Sequence, residues 1–261
     1  MVGNLLSNPG TKLINETGYA FLSSRHTGVI TLSLGSDKYN LDPLNPYHKG
    51  AFLSWAYLIR KSICDELDIE TNEFDIGYRI SPTTKVPEIY IVEKADNGAG
   101  YCNYLNGTAD REISEKVFIK SLLPEGRVFK EILMKKEHEK SCGSSCYDCL
   151  KDYYNQQHHG LLNWRVALDL AALANDENFH LDFTQVYWKE YIKETLLPTL
   201  ERKLHGTSEM HGDIITIKTV HLSFLIIHPF WSKFKIQSLK NEIDGAVAEI
   251  NIMDAIAKSR L

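Results

Sequence analysis

The apolar residues of this chain change their spacing several times, and each change predicts an element. The runs YAFLSS (19–24) and GVITLSL (28–34) place β-branched and aromatic residues around the turn-like RHTG (25–28), the pattern of paired strands. From Ala51 to Leu67 the period lengthens: Phe52, Trp55, Ala56, Ile59, Ile63 and Leu67 recur at three and four, which predicts a half-buried helix with Cys64 beside its apolar stripe. FDIGYRI (74–80) and EIYIVEK (88–94) again suggest strands, separated by SPTTKVP, whose prolines exclude a helix. A glycine loop, Asp96-Asn97-Gly98-Ala99-Gly100, follows.

Helical spacing returns over 126–140, with Val128, Phe129, Ile132 and Leu133 on one face, and continues after a cysteine cluster in LLNWRVALDLAALA (161–174) and VYWKEYIKETLLPTLERKL (186–204). The second of these is expected to kink near Pro198. DIITIKTVHLSFLIIHPFW (213–231) has strand chemistry, and a last helix is expected over 238–250. Strands, helices and strands again predict an α+β (mixed α/β) fold: one domain over residues 17–261, with a small sheet, packed helices and a zinc-knuckle-like loop, after a tail at 1–16.

Composition narrows the picture. Hydrophobic residues are 43% and charged residues 24% of the 261, the balance of a folded globule. A formal net charge of −5 argues against a protein that grips nucleic acid through bulk electrostatics. No apolar run approaches the roughly 18 residues of a membrane span, and MVGNLLSNPG lacks a signal-peptide layout, so a cytoplasmic protein with no membrane attachment is expected.

The cysteines carry the clearest chemistry. Cys142, Cys146 and Cys149 form C-x3-C-x2-C with Gly143, Ser144 and Ser145 between the first two, small residues that let the backbone wrap around an ion. In a reducing compartment this reads as a metal site rather than a disulfide. The spacing also occurs in radical S-adenosylmethionine enzymes, but Asp148 stands where those have an aromatic residue, and the motif falls late in the sequence. A closed structural zinc site needs a fourth ligand. His138 is favoured, since a helix reaching Cys142 would put its imidazole one turn back on the same face. Cys102, after the glycine loop, is the alternate, with His158, His159 or a water as remaining options.

At these residues the chain resembles a known family. CGSSCYDCLKDYYNQQHHGLLNWRVALDL (142–170) is similar to the zinc-binding domain at the C-terminus of MrfA-type DEAD/DEAH-box helicases, and more closely to its relatives in DrmB, a component of the DISARM phage-defence system. HTGVITLSL, EFDIGYR and EIYIVEKADNGAGYCNYL upstream, and FLIIHPFW and INIMDAIAKSR downstream, extend the resemblance over nearly the whole chain from Thr17. It implies one structural zinc on Cys142, Cys146 and Cys149. It further implies a superfamily 2 helicase subunit as partner and contact with DNA, directly or through that partner, in antiviral defence or repair. Tyr153, Asn155, His159, Trp164 and Arg165 match the family pattern after the cysteines. The family often has Asp where this chain has Asn163, and an extra cysteine near the place of Lys140.

Tyr153, Asn155, His159 and Arg165 are expected to form a hydrogen-bonded buttress behind the zinc loop, the alternative being a surface facing nucleic acid or a partner. No G-x-x-x-x-G-K-[ST], G-x-S-x-G or H-E-x-x-H occurs, so the expected role is a non-catalytic accessory module whose motor is another polypeptide. Two alternatives stay open. One is a metal-dependent nuclease using strand-end carboxylates such as Asp75, Glu88, Glu93 and Asp96; the other is a pure assembly scaffold. His26 and His228, each beside a strand-like run, read as structural.

Overall fold

The structure is a computed structural model that describes residues 26–105, 111–212 and 214–259. The expected tail (1–16) and the strand expected over 19–24 lie outside the described residues.

The N-terminal half is built on a long helix, α1 (Pro46–Leu67). Asn45 caps its start, accepting from the Tyr47 N–H at 2.9 Å, with Pro46 in the first turn, where its missing N–H costs nothing. Asp68 ends it in the left-handed conformation, at φ 53°. The helix begins five residues before the apolar stripe, because the cap and proline lie upstream of it. Its buried positions run right round the helix, since α1 packs between a sheet and the helix α5 described below.

That sheet holds three antiparallel strands in the order β1 (Val29–Ser33), β3 (Pro87–Glu93), β2 (Phe74–Ile80). The alternation along β3 buries Pro87, Ile89, Ile91 and Glu93 on one face. The last of these is a carboxylate on the inward side, and the glycine loop exists to satisfy it. The backbone N–H groups of Ala99, Gly100 (2.9 Å) and Cys102 (2.6 Å) donate to its two oxygens. Burial pushes the Glu93 pKa up, but these donors outweigh it and hold the carboxyl below its usual range. Gly28 is required beside it, because a Cβ there would lie 2.5 Å from Glu93 Oε1.

After the loop come α2 (Tyr101–Leu105) and α3 (Arg111–Phe118). The helix expected over 126–140 is broken in two, a π-helical turn at Phe129–Leu133 and α4 (Lys136–Ser141), with an extended Lys135 between them. Beyond the cysteines, α5 (Trp164–Asn175) starts at Asn163, whose side chain accepts the Arg165 N–H at 2.9 Å. An N-cap needs an oxygen acceptor and no charge, and the Asn163 amide supplies it.

Near Pro198, where a kink is expected, the regular α-helix is interrupted by a π-helical turn. α6 (Val186–Tyr191) continues through a π-helical turn, Ile192–Leu196, into α7 (Leu197–Leu204), and Pro198 falls in the first turn of α7.

A second sheet follows, which makes two small sheets rather than the one expected. Its order is β4 (Thr207–His211), β5 (Ile214–Lys218), β6 (Ser223–Ile227), β7 (Val247–Asn251), antiparallel except for the parallel pair β6–β7. The helix expected over 238–250 is corrected accordingly. The crossover that a parallel pair requires is α8 (Lys233–Asn241), and the residues after it form β7, before α9 (Ile252–Ser259) returns to pack on β6 and β7.

One buried carboxylate fastens the helices to this sheet. Asp169 of α5, fully buried, accepts from Tyr187 Oη at 2.7 Å, Trp188 Nε1 at 2.9 Å and His228 Nε2 at 2.9 Å. His228 Nδ1 accepts the Phe230 N–H at 3.3 Å, so its proton sits on Nε2 and the ring is held as the neutral donor the carboxylate needs. His228 therefore has the structural role expected of it. His26 is exposed, and its carbonyl accepts from the N–H of Asn97.

Candidate metal centre

Four side chains converge after α4. His138, Cys142, Cys146 and Cys149 bring one ligand atom each to within 4.8 Å of one another, the one such group of His, Cys, Asp or Glu among the described residues. Tetrahedral zinc with Zn–S bonds of about 2.3 Å sets its sulfurs about 3.8 Å apart. Here Sγ of Cys149 lies 3.8 Å from that of Cys142 and 3.7 Å from that of Cys146. These spacings are far from the roughly 2.05 Å of a disulfide, and all three thiols are free.

Local sequence dictates this convergence. α4 ends by donating the Cys142 N–H to the His138 carbonyl at 2.8 Å, which stacks His138 one turn behind the first cysteine. The chain then doubles back. The N–H groups of Leu150 (3.1 Å) and Lys151 (2.8 Å) donate to the Cys146 carbonyl, and the Cys146 N–H donates to Cys149 Sγ at 3.2 Å.

His138 is prepared as a ligand. Its Nδ1–H donates to the Leu133 carbonyl at 2.9 Å, which places the lone pair on Nε2. That Nε2 is buried, turned toward the Cys149 thiol, and has no oxygen or nitrogen partner. A buried imidazole nitrogen whose lone pair faces the Cys149 thiol, with two more thiols beside it, is a donor set that fits a metal ion. The π-helical turn at 129–133 has its purpose here, since it delivers the Leu133 carbonyl that sets the tautomer.

The thiols need a cation to ionise. Hydrogen bonding to Cys142 and burial push the Cys149 thiol well above its ordinary range, and burial with the neighbouring Cys149 raises Cys146. Four protein ligands close the shell, and His/Cys3 donors suit one structural zinc ion. The remaining candidate ligands sit elsewhere. Cys102 points at the Ile91 carbonyl, 3.9 Å away, under the glycine loop. His158 is hydrogen-bonded to Tyr57 Oη at 2.8 Å, and His159 Nε2 faces Asn155 Oδ1 at 2.7 Å. Cys64 is a buried thiol on α1.

Behind the metal loop stands Arg165, fully buried. Its Nη1 donates to the carbonyls of Cys142 (3.2 Å) and Gly143 (3.0 Å), and its Nε to that of Tyr187 (2.6 Å), while the guanidinium lies between the rings of Trp164 (4.1 Å) and Tyr191 (4.0 Å). Trp164 Nε1 also donates to the Cys142 carbonyl, at 3.2 Å. Burial lowers the Arg165 pKa to about 10, which leaves it charged at neutral pH. Among the described residues no carboxylate lies within ion-pair distance of it. Three thiolates around a divalent ion leave one surplus negative charge, and a buried guanidinium beside them supplies the balance.

The expected buttress holds for three of its four members. Asn155 is buried and donates to the Leu150 carbonyl at 2.8 Å, accepts from the Asp152 N–H at 2.9 Å and meets His159; Arg165 acts as above. Tyr153 does not belong, being 75% exposed. Asp169, Tyr187 and Trp188 were not singled out by their sequence pattern, because a buried carboxylate on an apolar helix face shows its partners only after folding.

The acidic residues weighed for a nuclease are engaged apart from one another. Asp75 pairs with Lys94 at 3.3 Å, Glu88 with Arg79, and Glu93 with the glycine loop, while Asp96 is exposed. No helix of the described residues is long and apolar enough to cross a membrane. Comparisons with family models, with characterised proteins and with solved structures find no match for this chain.

Proposed function

We propose that the chain is a non-catalytic, zinc-bearing accessory module of a superfamily 2 helicase system acting on DNA, in antiviral defence or repair. The observation that carries the reading is the closed His138/Cys142/Cys146/Cys149 group. Four protein ligands leave no coordination position for a reacting water, so a zinc ion there shapes a loop rather than activating a nucleophile. The resemblance of 142–170 to helicase-associated zinc-binding domains supplies the partner class. The lack of a phosphate-binding motif in the sequence means the motor is a separate polypeptide or domain.

The test is affinity capture from the native source with mass spectrometry, followed by ATPase and DNA-binding assays on the protein, the captured helicase and their mixture. A co-purifying superfamily 2 helicase whose DNA engagement tightens when the chain is added supports the reading. Metal-dependent DNA cleavage by the isolated chain, or a mixture indistinguishable from helicase alone, overturns it.

A further inference from the structure

We propose that the segment displayed by the metal loop is a stacking platform for single-stranded nucleic acid, formed by Tyr147, Tyr153 and Tyr154. The proposal rests on the DNA-associated reading above and deepens it by naming the form of nucleic acid that this surface fits.

The chain buries several of its tyrosines, Tyr39, Tyr57, Tyr187 and Tyr191 among them. The three around the metal loop are instead 69%, 75% and 64% exposed, so each ring keeps most of its surface in water. They are nevertheless held in place. Tyr147 stands edge-to-face on His159 with centroids 5.8 Å apart, and Tyr153 and Tyr154 form a perpendicular pair at 5.5 Å. Both of the latter sit on a short 3-10 turn, Tyr153–His158, capped by Asp152 and fixed by buried Asn155, which is itself bonded to Leu150 of the metal loop. The metal loop and the ring-bearing turn are therefore one hydrogen-bonded piece.

The chemistry around the rings selects the ligand. From Tyr147 to Gly160 the exposed side chains are the three tyrosines, Asp148, Gln156 and Gln157, with no exposed aliphatic residue among them. Exposed tyrosines serve protein and nucleic-acid interfaces alike; here the amides of Gln156 and Gln157 and the lysines beside the rings favour nucleic acid. Nucleobases present π-faces and hydrogen-bonding edges that match these groups. Lys61 and Lys151 line a shallow groove with Tyr147, and Lys94 Nζ lies 4.8 Å from the Tyr154 ring centre. Of the nearby carboxylates, Asp152 is paired with Arg60 and Asp75 with Lys94, which reduces their repulsion of phosphates at the cost of that lysine's charge, while Asp148 beside Tyr147 stays exposed. Paired bases in a duplex already spend their faces on one another, so only unpaired bases are free to stack here. With few lysines, affinity depends more on the rings than on salt.

The experiment is fluorescence anisotropy of the zinc-loaded full chain with a labelled thymidine oligonucleotide longer than about 16 nucleotides, beside a duplex of equal length. Tyr147→Ala and the double variant Tyr153→Ala/Tyr154→Ala are compared with the matching Phe variants, and zinc content and circular dichroism verify the fold. Each lost ring weakens single-strand binding about fivefold or more, while Phe retains it and duplex binds more weakly than single strand. Absence of oligonucleotide binding by the parent, Ala variants that bind as the parent does, or equal affinity for duplex overturns the platform. So does a loss of helicase capture in the Ala variants with oligonucleotide binding intact, since the rings would then dock protein. Helicase capture by the parent is read separately, so failure of the accessory-module reading is distinguishable from failure of the platform.

Discussion

Arg165 Nη1 donates to the carbonyl oxygen of Cys142 at 3.2 Å across a separation of 23 residues, and this bond ties the first residue of the cysteine motif to the helix that follows it. The same guanidinium holds Gly143 and, on its other side, Tyr187. Both the backbone geometry of the loop and the charge of its metal thereby depend on one side chain. We predict that Arg165→Met lowers zinc affinity about 10- to 100-fold. Arg165→Lys recovers charge but not the fork, and should fall between the two. Competition with a chromophoric chelator reads the affinity; a Met variant that holds zinc as the parent does would mean the guanidinium is not its counter-ion.

Metal analysis should give one zinc per chain and negligible iron for protein purified without added metal. Cys146→Ser or Cys149→Ser should yield metal-poor, heat-labile protein, because binding at a structural site contributes directly to folding free energy. Cys102→Ser should leave zinc content unchanged, its thiol lying under the glycine loop.

Acid should strip the metal. The Cys146 and Cys149 thiols are raised above their ordinary values in the metal-free protein, so at neutral pH they carry protons that zinc must displace. Each displaced proton makes affinity rise with pH and fall as pH drops, and protonation of His138 adds to the loss on the acid side. Zinc release followed from pH 8 down to about pH 5 should therefore show affinity decreasing steadily. A flat profile would be inconsistent with thiolate ligation.

Asp169 takes three donors in a fully buried site. Asp169→Ala orphans the Tyr187 hydroxyl, the Trp188 indole N–H and His228, and should cost about 3 kcal/mol or more in a urea titration. Asp169→Asn keeps an acceptor for Trp188 and His228 while its amide faces Tyr187, whose hydroxyl is able to accept. It should be clearly milder than Ala; equal losses would show that the buried volume matters and the hydrogen bonds do not.

Much of this fold was legible because periodicity reports burial. FDIGYRI coincides with β2, and the three–four stripe of Phe52, Trp55 and Ile59 lies inside α1. The misreadings have physical reasons. β7 looked helical because VAEIN is short and half-buried, and it is a strand only through pairing with β6, already ordered across α8. β4 carries the polar sequence TSEMH and forms at the sheet edge, where one face stays wet. At the site, C-x3-C-x2-C and a histidine one turn back were readable from spacing alone. The lone pair that His138 Nε2 turns toward the thiols and the absence of a direct ion-pair partner for Arg165 among the described residues were not, because both depend on how folding arranges distant side chains.

The hydrogen bonds around Arg165 do not stop at the metal loop. Tyr187 receives the guanidinium through its carbonyl and passes its own hydroxyl to Asp169, which in turn holds His228 at the end of β6. A continuous polar chain thus runs from the cysteines to the second sheet, so opening of the loop and opening of the sheet belong to one cooperative unit. Chelating the metal should consequently speed amide hydrogen exchange in β5 and β6, strands that contribute no ligand to it.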